Sequence, residues 1–202
     1  MGYRVALRAC PLIAAAVIAL APAQAQDARA DSARMATKIA RMQELGEHPR
    51  PPGAAAVSTT FSDREMNAYL QIEGPSFLPD GVTSPRVSTG AGGKITARAT
   101  VDLNAVRLSQ SRGFLDPLAF VRGAVEVVAT GSLTAQNGRA VAHFESGTIA
   151  GIGVPKGVVQ ELLRFSTRTP ARPEGFALDT PFDLPGQIRS VAVEAGRVTV
   201  IQ

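Results

Sequence analysis

A chain of 202 residues with 45% hydrophobic and 19% charged side chains has the composition of a folded globular protein and not of a disordered tail. Its formal charge of +4 comes without clusters of Lys and Arg interleaved with aromatics, so nucleic acid is not an expected partner. One Cys and two His, His48 and His143, exclude a Cys/His-ligated structural metal site, and an aromatic share of 5% without Trp leaves the core to Ala, Val, Leu and Ile.

Residues 1–25 read as a secretory signal: Arg4 and Arg8, an apolar stretch from Leu12 to Ala21, then Ala23-Gln24-Ala25 as an A-x-A cleavage site. The apolar run is about ten residues, short of the roughly 20 that span a bilayer. Cys10 precedes the run, whereas a lipid-modified Cys should follow it. Cleavage after Ala25 removes Cys10, Arg4 and Arg8 and predicts an exported, periplasmic protein without thiol chemistry. The expected divisions are the signal at 1–25, an amphipathic helix with a Pro-rich linker at 26–53, and one domain at 54–202. A domain of that size buries roughly 70% of its unfolded surface, enough for a core without staples.

From Asp27 to Gly46, Met35, Ile39, Met42 and Leu45 recur at helical spacing and form one apolar stripe. That stripe can dock on the chain's own domain, on an envelope protein or on a membrane surface. His48 to Gly53 form a stiff linker. Val57 to Phe61 predict a short strand, and Ser62 with Glu65 three residues later opens a helix by a capping box. This helix has Met66, Tyr69 and Leu70 on one side. After breaks at Gly74-Pro75 and Pro79-Asp80-Gly81, an extended segment runs to Thr89, and Gly90 to Gly93 make a turn. Ile95, Ala97, Ala99, Val101 and Leu103 then alternate with polar residues, predicting a strand with one wet face.

The region from Phe120 to Ala135 is extended, turns at Asn137-Gly138 and continues to about Ile149. Asn-Gly is the strongest short hairpin signal because both residues tolerate positive φ. A two-residue loop pairs Gln136 with Arg139, Leu133 with Ala142, Ser132 with His143, Gly131 with Phe144 and Thr130 with Glu145. One face is then Val125, Val127, Ala129, Gly131, Leu133, Ala135, Ala140, Ala142 and Phe144, with Phe144 expected over Gly131. The opposite face, with Glu126, Thr130, Ser132, Thr134, His143 and Glu145, can face water. Lys156 to about Phe165 predict a helix whose apolar side includes Val158, Val159, Leu162, Leu163 and Phe165. A Pro-rich loop follows. The chain ends in a hairpin that puts Val191, Val193, Val198 and Val200 on one face across Ala195-Gly196, with Glu194 beside Arg197. The expected class is α+β: an antiparallel sheet of about five to seven strands covered by two or three helices.

Five of the nine inward positions of the central hairpin are Ala or Gly. So small a face leaves volume that a closely laid helix or an acyl chain must occupy, because empty apolar space is destabilising. Catalytic signatures fail on inspection. Gly90 to Thr96 lacks the first Gly of a phosphate loop and has Ile95 where a hydroxyl is needed, and Gly151-Ile152-Gly153 has Lys156 in place of a third Gly. There is no G-x-S-x-G, and His143 opposite Ser132 falls on the wet face, without an oxyanion hole. Neither catalytic residues, metal nor cofactor is expected.

The run Phe61-Ser62-Asp63-Arg64-Glu65-Met66-Asn67-Ala68-Tyr69-Leu70, with Leu78-Pro79-Asp80-Gly81-Val82, Val101-Asp102-Leu103, Glu145-Ser146-Gly147, Val154-Pro155 and Leu184 to Val191, resembles exported bacterial proteins of the LmeA and YpmS groups. The resemblance spans residues 57–202. It implies half of a tubular lipid-binding (TULIP-like) module, in which a curled antiparallel sheet wraps a helix and shelters lipid tails. The expected function is non-enzymatic binding or carriage of a lipid or similar apolar ligand in the cell envelope. Its expected lining is Met66, Tyr69, Val125, Val127, Leu133, Phe144, Leu162, Leu163 and Phe165. The alternative is a ligand-free assembly module that docks another envelope protein through residues 27–46 or a sheet edge.

Overall fold

The computed structural model describes residues 20–48, 51, 53–102, 123–166 and 173–202, without the side chains of residues 20–24, 161, 162, 165 and 166. Leu103, residues 120–122 of the expected strand, and the first part of the Pro-rich loop lie outside the described residues, as does most of the expected signal.

Helix α1 spans Leu20–Glu47 and so starts ahead of the expected Asp27, running through Ala23-Gln24-Ala25. Strand β1 (Ser58–Ser62) leads into α2 (Asp63–Ile72). Ser62 caps α2 as its spacing predicts: its hydroxyl accepts from the Glu65 amide, and the Glu65 carboxylate accepts from the Ser62 amide. Then come β2 (Val82–Thr89), β3 (Lys94–Asp102), β4 (Ala124–Gln136), β5 (Arg139–Ile149), β6 (Ile152–Gly153), α3 (Lys156–Ser166), β7 (Phe182–Asp183), β8 (Ser190–Glu194) and β9 (Arg197–Ile201).

The protein is α+β. Its strands form one open antiparallel sheet in the order β1-β9-β8-β4-β3-β2, with β5 on the other side of β4 and β6 and β7 on β5. Seven strands are of ordinary length, and the two beyond that expected range, β6 and β7, have two residues each. Pro181 and Pro185 flank β7 and deny it amide donors, which keeps it short.

Strand β4 is the hub because it is long enough to hold two neighbours on one side. Its first part pairs with β3, from Asp102 opposite Ala124 to Lys94 opposite Ser132, and farther on Ala135 pairs with Val191 of β8. The sheet therefore has two arms that share one apolar face. One arm is β8-β9-β1, where Val191 opposes Val200, Val193 opposes Val198 and Phe61 opposes Val198 from the other side, as alternation predicts. The other is β2-β3-β4-β5.

The β4–β5 register follows the Asn-Gly turn from Gln136/Arg139 to Gly131/Phe144 and then slips. Thr130 pairs with Ser146, not with the expected Glu145, which is the extra residue of a β-bulge. The bulge brings the chains together: a Cβ on Gly131 would stand 2.3 Å from the His143 carbonyl oxygen. Phe144 consequently covers Gly147, whose Cβ position is 3.2 Å from the ring, and not Gly131. Glu145 still reaches the polar face, 3.3 Å from Lys94.

Helix α1 packs along α2 and against β1. Its predicted stripe, Met35, Ile39, Met42 and Leu45, is half-buried against the chain itself. Polar ties fix both ends of that contact. Asp31, 2% exposed, pairs with Arg34 and with Arg64 of α2, and Lys38 pairs with buried Glu65 at 2.7 Å and donates to the Thr60 carbonyl. At the other end Gln202 donates to the Met42 carbonyl and Gln187 to the Gly46 carbonyl. Gly46 is needed there, since a Cβ would stand 2.7 Å from Gly186 Cα. Among the described residues no helix is long and apolar enough to cross a membrane.

Candidate functional site

One apolar face meets two different environments. Near α1 and β7 it is sealed: Phe61, Ala135, Ala140, Val193 and Val200 are at most 7% exposed. Phe182 pairs with Ala140 and packs edge-on against Phe176, ring centroids 5.0 Å apart, and Ala135 and Ala140 are both buried. Farther along β3 and β4 the same face is not sealed. Ile95, Ala99, Val101, Val125, Val127, Ala129, Gly131 and Leu133 are only half-buried, and Ala97 is exposed.

The helices explain the difference. Helix α2 runs along the β2 edge, and α3 contacts β5, so among the described residues helical cover lies at the two edges of this arm. The α2 attachment is specific. The Asn67 side chain donates to the Val87 carbonyl at 2.7 Å and accepts from the Val87 amide at 2.8 Å, replacing a missing strand partner. Asp63 accepts from the Thr89 amide and hydroxyl at 2.9 and 2.7 Å.

Of the expected lining, Val125, Val127 and Leu133 share the half-buried face of β4, and Phe144 lies cross-strand from Gly131 on the same face. Leu163 is half-buried on α3. The side chains of Leu162 and Phe165 lie outside the described residues. Met66 and Tyr69 are half-buried on α2, and the Tyr69 ring stacks on Phe77 at 5.9 Å. The β3 residues Ile95, Ala99 and Val101 belong beside the β4 trio; their alternation was the signal that could have placed them there.

On the polar face, Ser132 and His143 are cross-strand neighbours, and His143 Nδ1 lies 2.7 Å from Asp179 Oδ1. The order Ser, His, Asp resembles a hydrolytic triad, but among the described residues no side-chain hydrogen bond joins Ser132 to His143. Lys156 holds the other Asp179 oxygen, and the Lys156 and His143 hydrogen bonds keep that carboxyl below its ordinary range. The exposed cluster ties β5, α3 and the segment before β7 together; it has no enclosure for a reacting group. No group of His, Cys, Asp and Glu suited to a metal ion exists among the described residues.

No family model matches the chain, and no curated protein matches it.

Proposed function

We propose that this protein is an exported, non-enzymatic carrier that holds a lipid or similar apolar ligand against the β3–β4 part of its sheet. The observation that supports this reading is the contrast within one face: buried at Phe61, Ala135, Ala140, Val193 and Val200, half-open at Val125, Val127, Ala129 and Leu133. Apolar area left partly in water is recovered when an alkyl chain covers it, at about 0.8 kcal/mol per CH₂ before the costs of association. The likeness of residues 57–202 to the LmeA and YpmS groups, and through them to half of a TULIP module, supports the same ligand class. The leader pattern at residues 1–25 supports the periplasmic compartment.

The test is native mass spectrometry and organic extraction of protein purified from its own host. Co-purifying lipid is the expected result, together with loss of that lipid in Ala129→Phe at an unchanged melting temperature, because a ring there takes the ligand's place. A ligand-free wild type, or an Ala129→Phe chain that no longer folds, would show the face already filled and leave the assembly-module alternative.

A further inference from the structure

Strand β2 is broken at Ser84-Pro85. Its register against β3 slips between Thr83 and Arg86, and Ser84 takes a left-handed φ of 51°. At the break lies a cavity of about 340 Å³, its apolar wall formed by Leu70, Pro75, Leu78, Val82 and Pro85 and the rest by Gln71, Thr83, Ser84 and Arg86. That is the lower end of the size range of ligand pockets. It lies beside the half-open face, since Val82 opposes Val101 and Val101 opposes Val125. A second, shallower and more polar hollow of about 420 Å³ lies where α1, α2 and β2 meet, lined by Arg64, Asp27 and Asp31 among others. Gln71 and Arg86 line both.

The charges around the two cavities are unequal. Arg64 is neutralised by Asp31 and lies 3.6 Å from Asp27. Arg86 stands directly opposite Arg98, and Glu126 lies 3.6 Å from Arg98. Like charges directly opposed across strands are destabilising. Among the described residues the Arg86 side chain has no hydrogen bond or ion pair of its own. An unneutralised guanidinium at the junction of an apolar and a polar cavity suits a ligand with an apolar body and an anionic end.

We propose that the cleft between α2 and β2 binds a single-chain anionic amphiphile, with its charged group on Arg86 and its first methylenes among Leu70, Leu78 and Val82. This rests on the carrier reading and gives the ligand a charge and an anchoring point, its head group held at the β2 edge. Guanidinium recognises carboxylate in a planar, charge-assisted manner.

The experiment titrates the full chain with two probes, a fluorescent polyene fatty acid and the alcohol of the same chain. Wild type should prefer the acid, and Arg86→Gln should weaken the acid about tenfold or more while leaving the alcohol unchanged. Arg86→Lys should restore part of the loss. Arg86 is exposed, so these variants should keep the wild-type melting temperature. If Arg86→Gln binds both probes as wild type does, the head-group site is wrong and the carrier reading stands. If wild type binds neither probe, the carrier reading itself fails and takes the site with it.

Discussion

Glu65 does three jobs with one carboxylate. It closes the capping box on Ser62, anchors Lys38 of α1 at 2.7 Å, and sits 7% exposed between the two helices. Burial alone would raise its pKa; hydrogen bonds from Lys38 and from the Ser62 amide and hydroxyl, with the Lys38 charge, outweigh burial and hold it below the ordinary 4.5. A carboxyl depressed in the folded state contributes stability that is present above its unfolded value and lost as pH falls through the lower folded value. Denaturant titrations should therefore show Glu65→Gln less stable than wild type at neutral pH, the gap closing below about pH 4.5. Lys38→Met should cost about 3 kcal/mol at neutral pH, because it strands a buried charge. A gap between Glu65→Gln and wild type that stays constant down to acidic pH would remove the pair from the ledger of stabilising contacts.

Among the elements, the hairpins were the most legible part of the chain and the links between distant elements the least. Asn137-Gly138 set the β4–β5 register because turn geometry is local, and alternation placed the valines of β8 and β9 for the same reason. The bulge at Glu145 was hidden, since it depends on how closely Gly131 lets two backbones approach. The Asn67 clamp was hidden too. Nothing in Asn67 alone says that its amide will stand in for a strand beside Val87, twenty residues on. The half-open face was legible only as small residues; that Ala135 and Ala140 are buried while Ala129 is half-buried depends on pairings with segments far along the chain, Val191 beside Ala135 and Phe182 beside Ala140. Asn67→Ala should leave the Val87 amide and carbonyl without their side-chain partner, at a cost of about 1–3 kcal/mol. Hydrogen exchange should then accelerate at Val87 while the β4–β5 amides keep their protection. Uniform acceleration through the sheet would mean that α2 holds the whole fold and not its own edge.

At the scale of the molecule, α1 serves as a wall of the domain. Its residues from Asp31 onward hold Arg64, Glu65, Gln187 and Gln202, contacts that reach α2, the segment before β8 and the end of the chain. It lies against β1, where Phe61 sits under Lys38 with the ammonium 5.8 Å from the ring centroid. The residues ahead of Gln26 make none of the ties just named, so cleavage after Ala25 is compatible with the packed helix. A chain starting at Gln26 should match the thermal stability of a longer one. A chain starting at Pro51 should not: it exposes Phe61 and strands Glu65 without Lys38. Loss of those contacts should lower the melting temperature by many degrees or abolish the cooperative transition. Equal melting of both truncated chains would make α1 an appendage, and its apolar stripe would then be free for the partner or membrane surface that its sequence also allows.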